Sequence, residues 1–166
     1  RNVDDNTDDS FFELLLNYTT SFKSKEHFLS FDLKYDHSLS DNITDIANTA
    51  VLPAEPQDLQ KTTTDQTNST GLFQVDYAQP INNFGLVETG VKANIREYEN
   101  ALLVYDYDPI QFKFSPVTGM ENNLSYDEGV YAAYVSFSKE LNSLNFSLGL
   151  RAEYTDIRIS DLIHNN

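Results

Sequence analysis

Apolar and polar residues alternate with period two along much of the chain, and no segment holds an i, i+3, i+4, i+7 stripe for three turns. The pattern predicts an all-β protein. In His27 to Ser38, the set Leu29, Phe31, Leu33 and Tyr35 interleaves with Ser30, Asp32, Lys34 and Asp36. In Leu86 to Arg96, Val87, Val91, Ala93 and Ile95 separate from Glu88, Lys92 and Arg96. In Leu144 to Thr155, Phe146, Leu148, Leu150 and Tyr154 separate from Arg151 and Glu153. Phe11 to Phe22, Asn68 to Gln79 and Ser125 to Ser138 alternate less cleanly, with mixed second faces. All five prolines fall outside these six segments, as ladder-paired strands require. Short polar turns are expected at Lys23 to Glu26, Pro80 to Phe84 and Glu140 to Ser143, and long loops at about Leu39 to Thr67 and Glu97 to Leu124. The expected topology is three antiparallel hairpins that pair with one another into a single meander.

Strand length narrows the class. A strand of about 11 residues rises roughly 36 Å, and a tilt of about 45° projects this to about 25 Å, the height of an outer-membrane apolar band. Soluble sandwich strands usually have about 5 to 6 residues. The sequence therefore predicts an antiparallel meander of about six long strands, part of a larger transmembrane β-barrel. The alternative is a soluble secreted β-sandwich that binds carbohydrate or protein through its loops.

Charge and composition remove several functions. The 166 residues include 26 Asp plus Glu and 11 Lys plus Arg, a formal charge of −15, which opposes nucleic-acid binding. The absence of Cys excludes disulfide scaffolds, thiolate metal sites and thiol nucleophiles. A 13% aromatic content implies a folded chain. Residues 1–10, 39–67, 97–128 and 156–166 hold 18 acidic and 4 basic residues, hence −14, leaving −1 for the remainder. The charge is expected to concentrate at the long-loop end.

The stretches Tyr131 to Ile157 (YAAYVSFSKELNSLNFSLGLRAEYTDI), Gln74 to Ala93 (QVDYAQPINNFGLVETGVKA) and Phe28 to Ser38 (FLSFDLKYDHS) resemble the C-terminal barrel of TonB-dependent outer-membrane receptors, within the outer-membrane β-barrel family. The Tyr131 to Tyr134 strand, a short turn and the Gly149 to Thr155 strand match that family's recurrent hairpin. The resemblance implies localisation in the outer membrane of a Gram-negative bacterium. Its implied partners are outer-membrane lipid, the rest of a parent barrel and its plug domain, and an energy-coupling protein acting through the parent. It implies no cofactor and leaves the ligand, whether sugar, metal chelate or peptide, unspecified. The chain carries no plug, no TonB-contacting box and no aromatic-ended last strand. Residues 1–166 are accordingly expected to be a partial barrel domain.

Candidate chemistry is sparse. Ser160, Asp161 and His164 crowd one segment without a nucleophile elbow, and Asp4 to Asp9 opens like a calcium loop but lacks its Gly and distal Glu. Neither supports a site, and no enzyme is expected. The residues expected on the lumen wall are Asp32, Lys34, Glu88, Lys92, Arg96, Arg151 and Glu153. Asp41, Asp45, Asp106 and Asp108 are loop candidates for divalent cations, and calcium is expected to order the loops that contain them.

Overall fold

A computed structural model describes residues 1–48, 58–82, 84–142 and 144–161. Seven strands form one antiparallel sheet: β1 Asn2–Ser21, β2 Phe28–Asn48, β3 Asp58–Ile81, β4 Gly85–Asp108, β5 Lys113–Pro116, β6 Asn122–Leu141 and β7 Leu144–Asp161. Their order is β1-β2-β3-β4-β6-β7, and the short β5 pairs with β4 from Tyr105 to Asp108, past the point where β6 stops at Leu102. The sheet is open, with β1 and β7 at its edges.

The three hairpin turns fall where polar, turn-forming residues interrupt the alternation. Phe22 N–H donates to the His27 carbonyl at 2.8 Å, and their rings stack at 4.4 Å between centroids. Asn82 and Asn142 adopt left-handed conformations with φ of 38° and 52°, which Asn tolerates better than most residues.

The strands are longer than the alternation predicts. Most of the segments expected as long loops is strand: β2 continues to Asn48, β3 starts at Asp58, β4 continues to Asp108 and β6 starts at Asn122. Asp4 to Asp9, which would also be read as a loop, lies in β1 paired with Ser40 to Asp45. Asp41 and Asp45 lie in β2, and Asp106 and Asp108 in β4, so none of the four cation candidates is a loop residue. The physical cause is that polar and apolar residues mix on both faces of these extensions, Ala101 to Val104 running apolar without a break. The hydrophobic period therefore vanishes, while the Thr-rich backbone still favours extended pairing. Pro80 and Pro116 occupy strand ends, whereas Pro53 and Pro56 lie outside the described residues.

Register fixes which side chains share a face, because directly opposed residues point the same way. A rung is named here by its β4 residue. The Val91 rung reads Tyr18, Phe31, Val75, Val91, Ala133 and Ala152. The neighbouring Lys92 rung, on the other face, reads Asn17, Asp32, Gln74, Lys92, Ala132 and Glu153. Leu29, Phe31, Val91, Ile95, Phe146, Leu148 and Leu150 thus share one face, opposite Asp32, Lys92, Arg96, Arg151 and Glu153.

Packing differs between the faces. The two most covered side chains, Ala78 at 1% and Ala132 at 7% exposure, belong to the polar face, whereas Val91 and Val135 on the apolar face of the inner strands are 47% and 46% exposed.

Candidate functional site

Alternation places all seven expected wall residues on the covered, polar face, spread along it rather than gathered into one cluster. Lys34 bridges Glu13 at 3.1 Å and Asp36 at 3.2 Å, across to β1 and along β2. Asn17 donates to Asp32 on the neighbouring strand. Arg151 holds Glu153 through both Nε (3.2 Å) and Nη2 (2.8 Å), a two-pronged contact between next-but-one residues. Ser136 donates to Glu88 at 3.2 Å. Lys92 and Arg96 form no ion pair among the described residues.

The tightest arrangement lies on the Gly90 rung and joins three strands. Tyr134 of β6 lays its ring across Gly90 of β4, and its hydroxyl donates to Asp76 Oδ1 of β3 at 2.6 Å. Gln74 Nε2 donates to the other Asp76 oxygen at 2.7 Å. A Cβ on Gly90 would stand 2.4 Å from Asp76 Oδ1 and 2.5 Å from Tyr134 Cε1, so only glycine leaves room for the crossing. Neither Asp76 nor Tyr134 stands among the expected wall residues. The available signal was Tyr134's position in the polar phase of an otherwise apolar Tyr131 to Phe137 run.

Above the apolar run of β4, which ends at Ile95, the two faces differ again. Asp41, Asp45, Asp65, Glu97, Glu99 and Asp127 all project from the same face as the apolar residues. On the opposite face β2, β3, β4 and β6 carry no charged residue from the Tyr98 rung to the Val104 rung. That surface is built of amides, hydroxyls and a few aliphatic groups, with Tyr98 directly opposed to Tyr126. Desolvation, then a hydrogen bond to Glu128, pushes the Tyr126 hydroxyl above its ordinary pKa, keeping it a proton donor. The carboxamide oxygens of Asn68 and Asn100 are shielded from solvent and accept no hydrogen bond.

The expected cation ligands do not converge. Asp41 and Asp45 lie on the apolar-belt face, while Asp106 and Asp108 lie on the other. Asp106 accepts from Gln60 at 3.0 Å. Asp108 Oδ1 accepts from the backbone N–H groups of Ile110 (2.8 Å) and Gln111 (3.2 Å), and Oδ2 from the Gln111 side chain (2.8 Å), in that order fastening the turn before β5. These bonds hold its carboxyl below the ordinary value of 3.8. Among the described residues no three His, Asp or Glu side chains are grouped to hold a metal ion. Ser160 and Asp161 are consecutive in β7 and so point to opposite faces, while His164 lies outside the described residues.

Long antiparallel strands, an apolar belt on one face and a hydrogen-bonded polar face on the other define a membrane β-barrel type of sheet. Residues 20–166 match the outer membrane protein beta-barrel family, and the chain belongs to that family. It is an outer-membrane β-barrel protein whose strands build barrel wall. No curated protein matches it.

Proposed function

We propose that the chain forms part of the barrel wall of a TonB-dependent receptor that imports a nutrient or metal chelate across the outer membrane of a Gram-negative bacterium. The apolar face meets lipid, and the polar face, with Asp32, Lys34, Glu88, Lys92, Arg96, Arg151 and Glu153, lines a plugged lumen. Further strands of the barrel, the plug and an energy-coupling protein are its partners.

The observation that carries the reading is the drift of the apolar belt across the sheet. Its members are Phe12 to Tyr18 in β1, Leu29 to Tyr35 in β2, Phe73 to Tyr77 in β3, Val87 to Ile95 in β4 with Thr89 among them, Tyr131 to Phe137 in β6 and Leu144 to Tyr154 in β7. Referred through the register to β4 positions, their midpoints lie at 94, 92, 91, 91, 90 and 88. The belt descends six residues over five strand-to-strand steps. About 4 Å of drift per strand spacing of about 4.8 Å corresponds to a tilt of about 40°, within the range of membrane barrels. At that tilt the nine residues Val87 to Ile95 span about 23 Å, against an apolar band of about 25 Å. A single sheet with this slanted belt also disfavours the soluble sandwich, which needs a second sheet packed on the apolar face.

The chain has no cysteine, so single substitutions report on each face. In outer-membrane preparations a water-soluble maleimide should label Lys92→Cys and Arg151→Cys, while Val91→Cys and Leu150→Cys should be reached only by lipid-phase reagents. Uniform labelling would refute the face assignment. A plugged receptor should give no steady current in a planar bilayer; ohmic conductance would point to an open pore and overturn the receptor reading.

A further inference from the structure

We infer that the short-turn border of the apolar face, centred on Lys139 between Phe84 and Phe146, binds the phosphate of an anionic phospholipid in the periplasmic leaflet. The inference rests on the reading of that face as the lipid side, and it goes further by naming the lipid class that this border selects.

The first observation is the sorting of charge along this face. From the Ala93 rung down to the short turns, its paired residues include one charged side chain, Lys139, and no carboxylate. Glu140, the next residue, pairs with Asn145 and projects from the polar face. Lys139 forms no ion pair among the described residues. The border above the belt is the reverse, with Glu97, Glu99 and Asp127 on the same face. A phosphate is therefore attracted to the lower border and repelled from the upper one.

The second is the way the ammonium is held. Lys139 is the next residue of β6 on this face after Phe137, the last of the belt, and it is directly opposed to Phe146. Its Nζ lies 5.4 Å from the centre of the Phe84 ring. Phe84 N–H donates to the Ile81 carbonyl at 2.7 Å, which fixes that ring's backbone in the turn between β3 and β4. An aromatic face positions an ammonium without neutralising it, so the charge is left for a ligand. Lys23 and Lys25, on the turn between β1 and β2, add positive charge at the same end against one carboxylate, Glu26.

The third is the surface beside that charge. Phe84 and Phe146 are both exposed, and they give apolar area for the glycerol and first methylenes of a lipid at the level where membrane aromatics sit. A soluble anion such as inorganic phosphate would leave that area bare. Phosphatidylglycerol carries phosphate charge with no cation of its own, so it meets Lys139 uncompensated. Phosphatidylethanolamine and phosphatidylcholine bring a cation with the phosphate, and this border has no carboxylate on its face to receive it.

The test uses the full-length protein in phosphatidylcholine vesicles. Leu144→Cys, two residues from Phe146, carries a bimane beside the site, and Tyr154→Cys carries one at the upper border. Lipids brominated near the head group quench a bimane that they touch. Brominated phosphatidylcholine should quench both probes; quenching of neither would overturn the lipid reading and the inference with it. Brominated phosphatidylglycerol should quench the Leu144 probe with an apparent affinity about threefold to fivefold higher than brominated phosphatidylcholine or phosphatidylethanolamine, the effect of one lysine at an anionic surface, and should show no such preference at the Tyr154 probe. Lys139→Gln should remove the preference and Lys139→Arg should keep it. Equal quenching by the three lipids, the same preference at both probes, or a preference that survives Lys139→Gln would overturn the inference and leave the lipid reading standing.

Discussion

Replacing Gly90 by Ala should dismantle the three-strand crossing, and the size of the effect can be worked from its geometry. The new methyl would stand 2.4 Å from Asp76 Oδ1 and 2.5 and 2.7 Å from two carbons of the Tyr134 ring, far inside van der Waals contact. Both groups are side chains and could retreat singly, but the 2.6 Å bond between Tyr134 and Asp76 runs across the spot, so relief of one clash breaks the bond. A hydrogen bond to a carboxylate is worth about 1.5–3 kcal/mol. Ala regains about 0.5–1 kcal/mol over Gly within a strand. The net loss should be about 1–2 kcal/mol. The assay is urea unfolding of the protein reconstituted in lipid vesicles, followed by far-ultraviolet circular dichroism. Coupling is the sharper readout: in a Tyr134→Ala background the ring and its bond are already gone, and Gly90→Ala should become neutral or slightly stabilising. Gly71→Ala, with nothing within 4 Å of the added Cβ, serves as control. Equal destabilisation by Gly90→Ala in both backgrounds would show that the glycine is needed for some other reason and would refute the argument.

Three further outcomes follow from the same geometry. Val91→Arg places a charge in the middle of the apolar belt and should cost about 2–4 kcal/mol of stability in lipid, while Lys92→Arg, one residue away on the other face, should cost less than about 0.5 kcal/mol; equal costs in the unfolding assay would contradict the alternation. Lys34→Met should destabilise measurably at low salt and less in high salt, because its bridges to Glu13 and Asp36 are partly exposed and screened; a salt-independent loss would assign the effect to packing. The Asp108 turn should respond to acid late. Its folded-state pKa lies below the ordinary 3.8, so its stabilisation is complete above that value and is lost only as pH falls through the lower folded value. Hydrogen exchange at the Ile110 and Gln111 amides should therefore stay protected to about pH 4 and rise below it, and Asp108→Ala should abolish the protection at every pH.

Alternation in the sequence was sufficient to identify the two faces and the hairpins, because a half-lipid, half-wet strand writes its burial into every second residue. Leu29 to Tyr35 and Phe146 to Tyr154 needed no structure to be placed on one side. The extensions of β2, β3, β4 and β6 were not legible: polar and apolar residues mix on both of their faces, so no hydrophobic period remains, and Asp41, Asp45, Asp106 and Asp108 looked like loop residues until their pairing was known. Alternation within one strand also says nothing about its alignment with the next. The belt's slant, the crossing of Tyr134 over Gly90 to Asp76, and the sorting of carboxylates to one face and amides to the other arise only when residues far apart in sequence share a rung. That alignment is chosen by the summed backbone bonds and cross-strand contacts of the whole sheet, a sum that exists only in the tertiary structure.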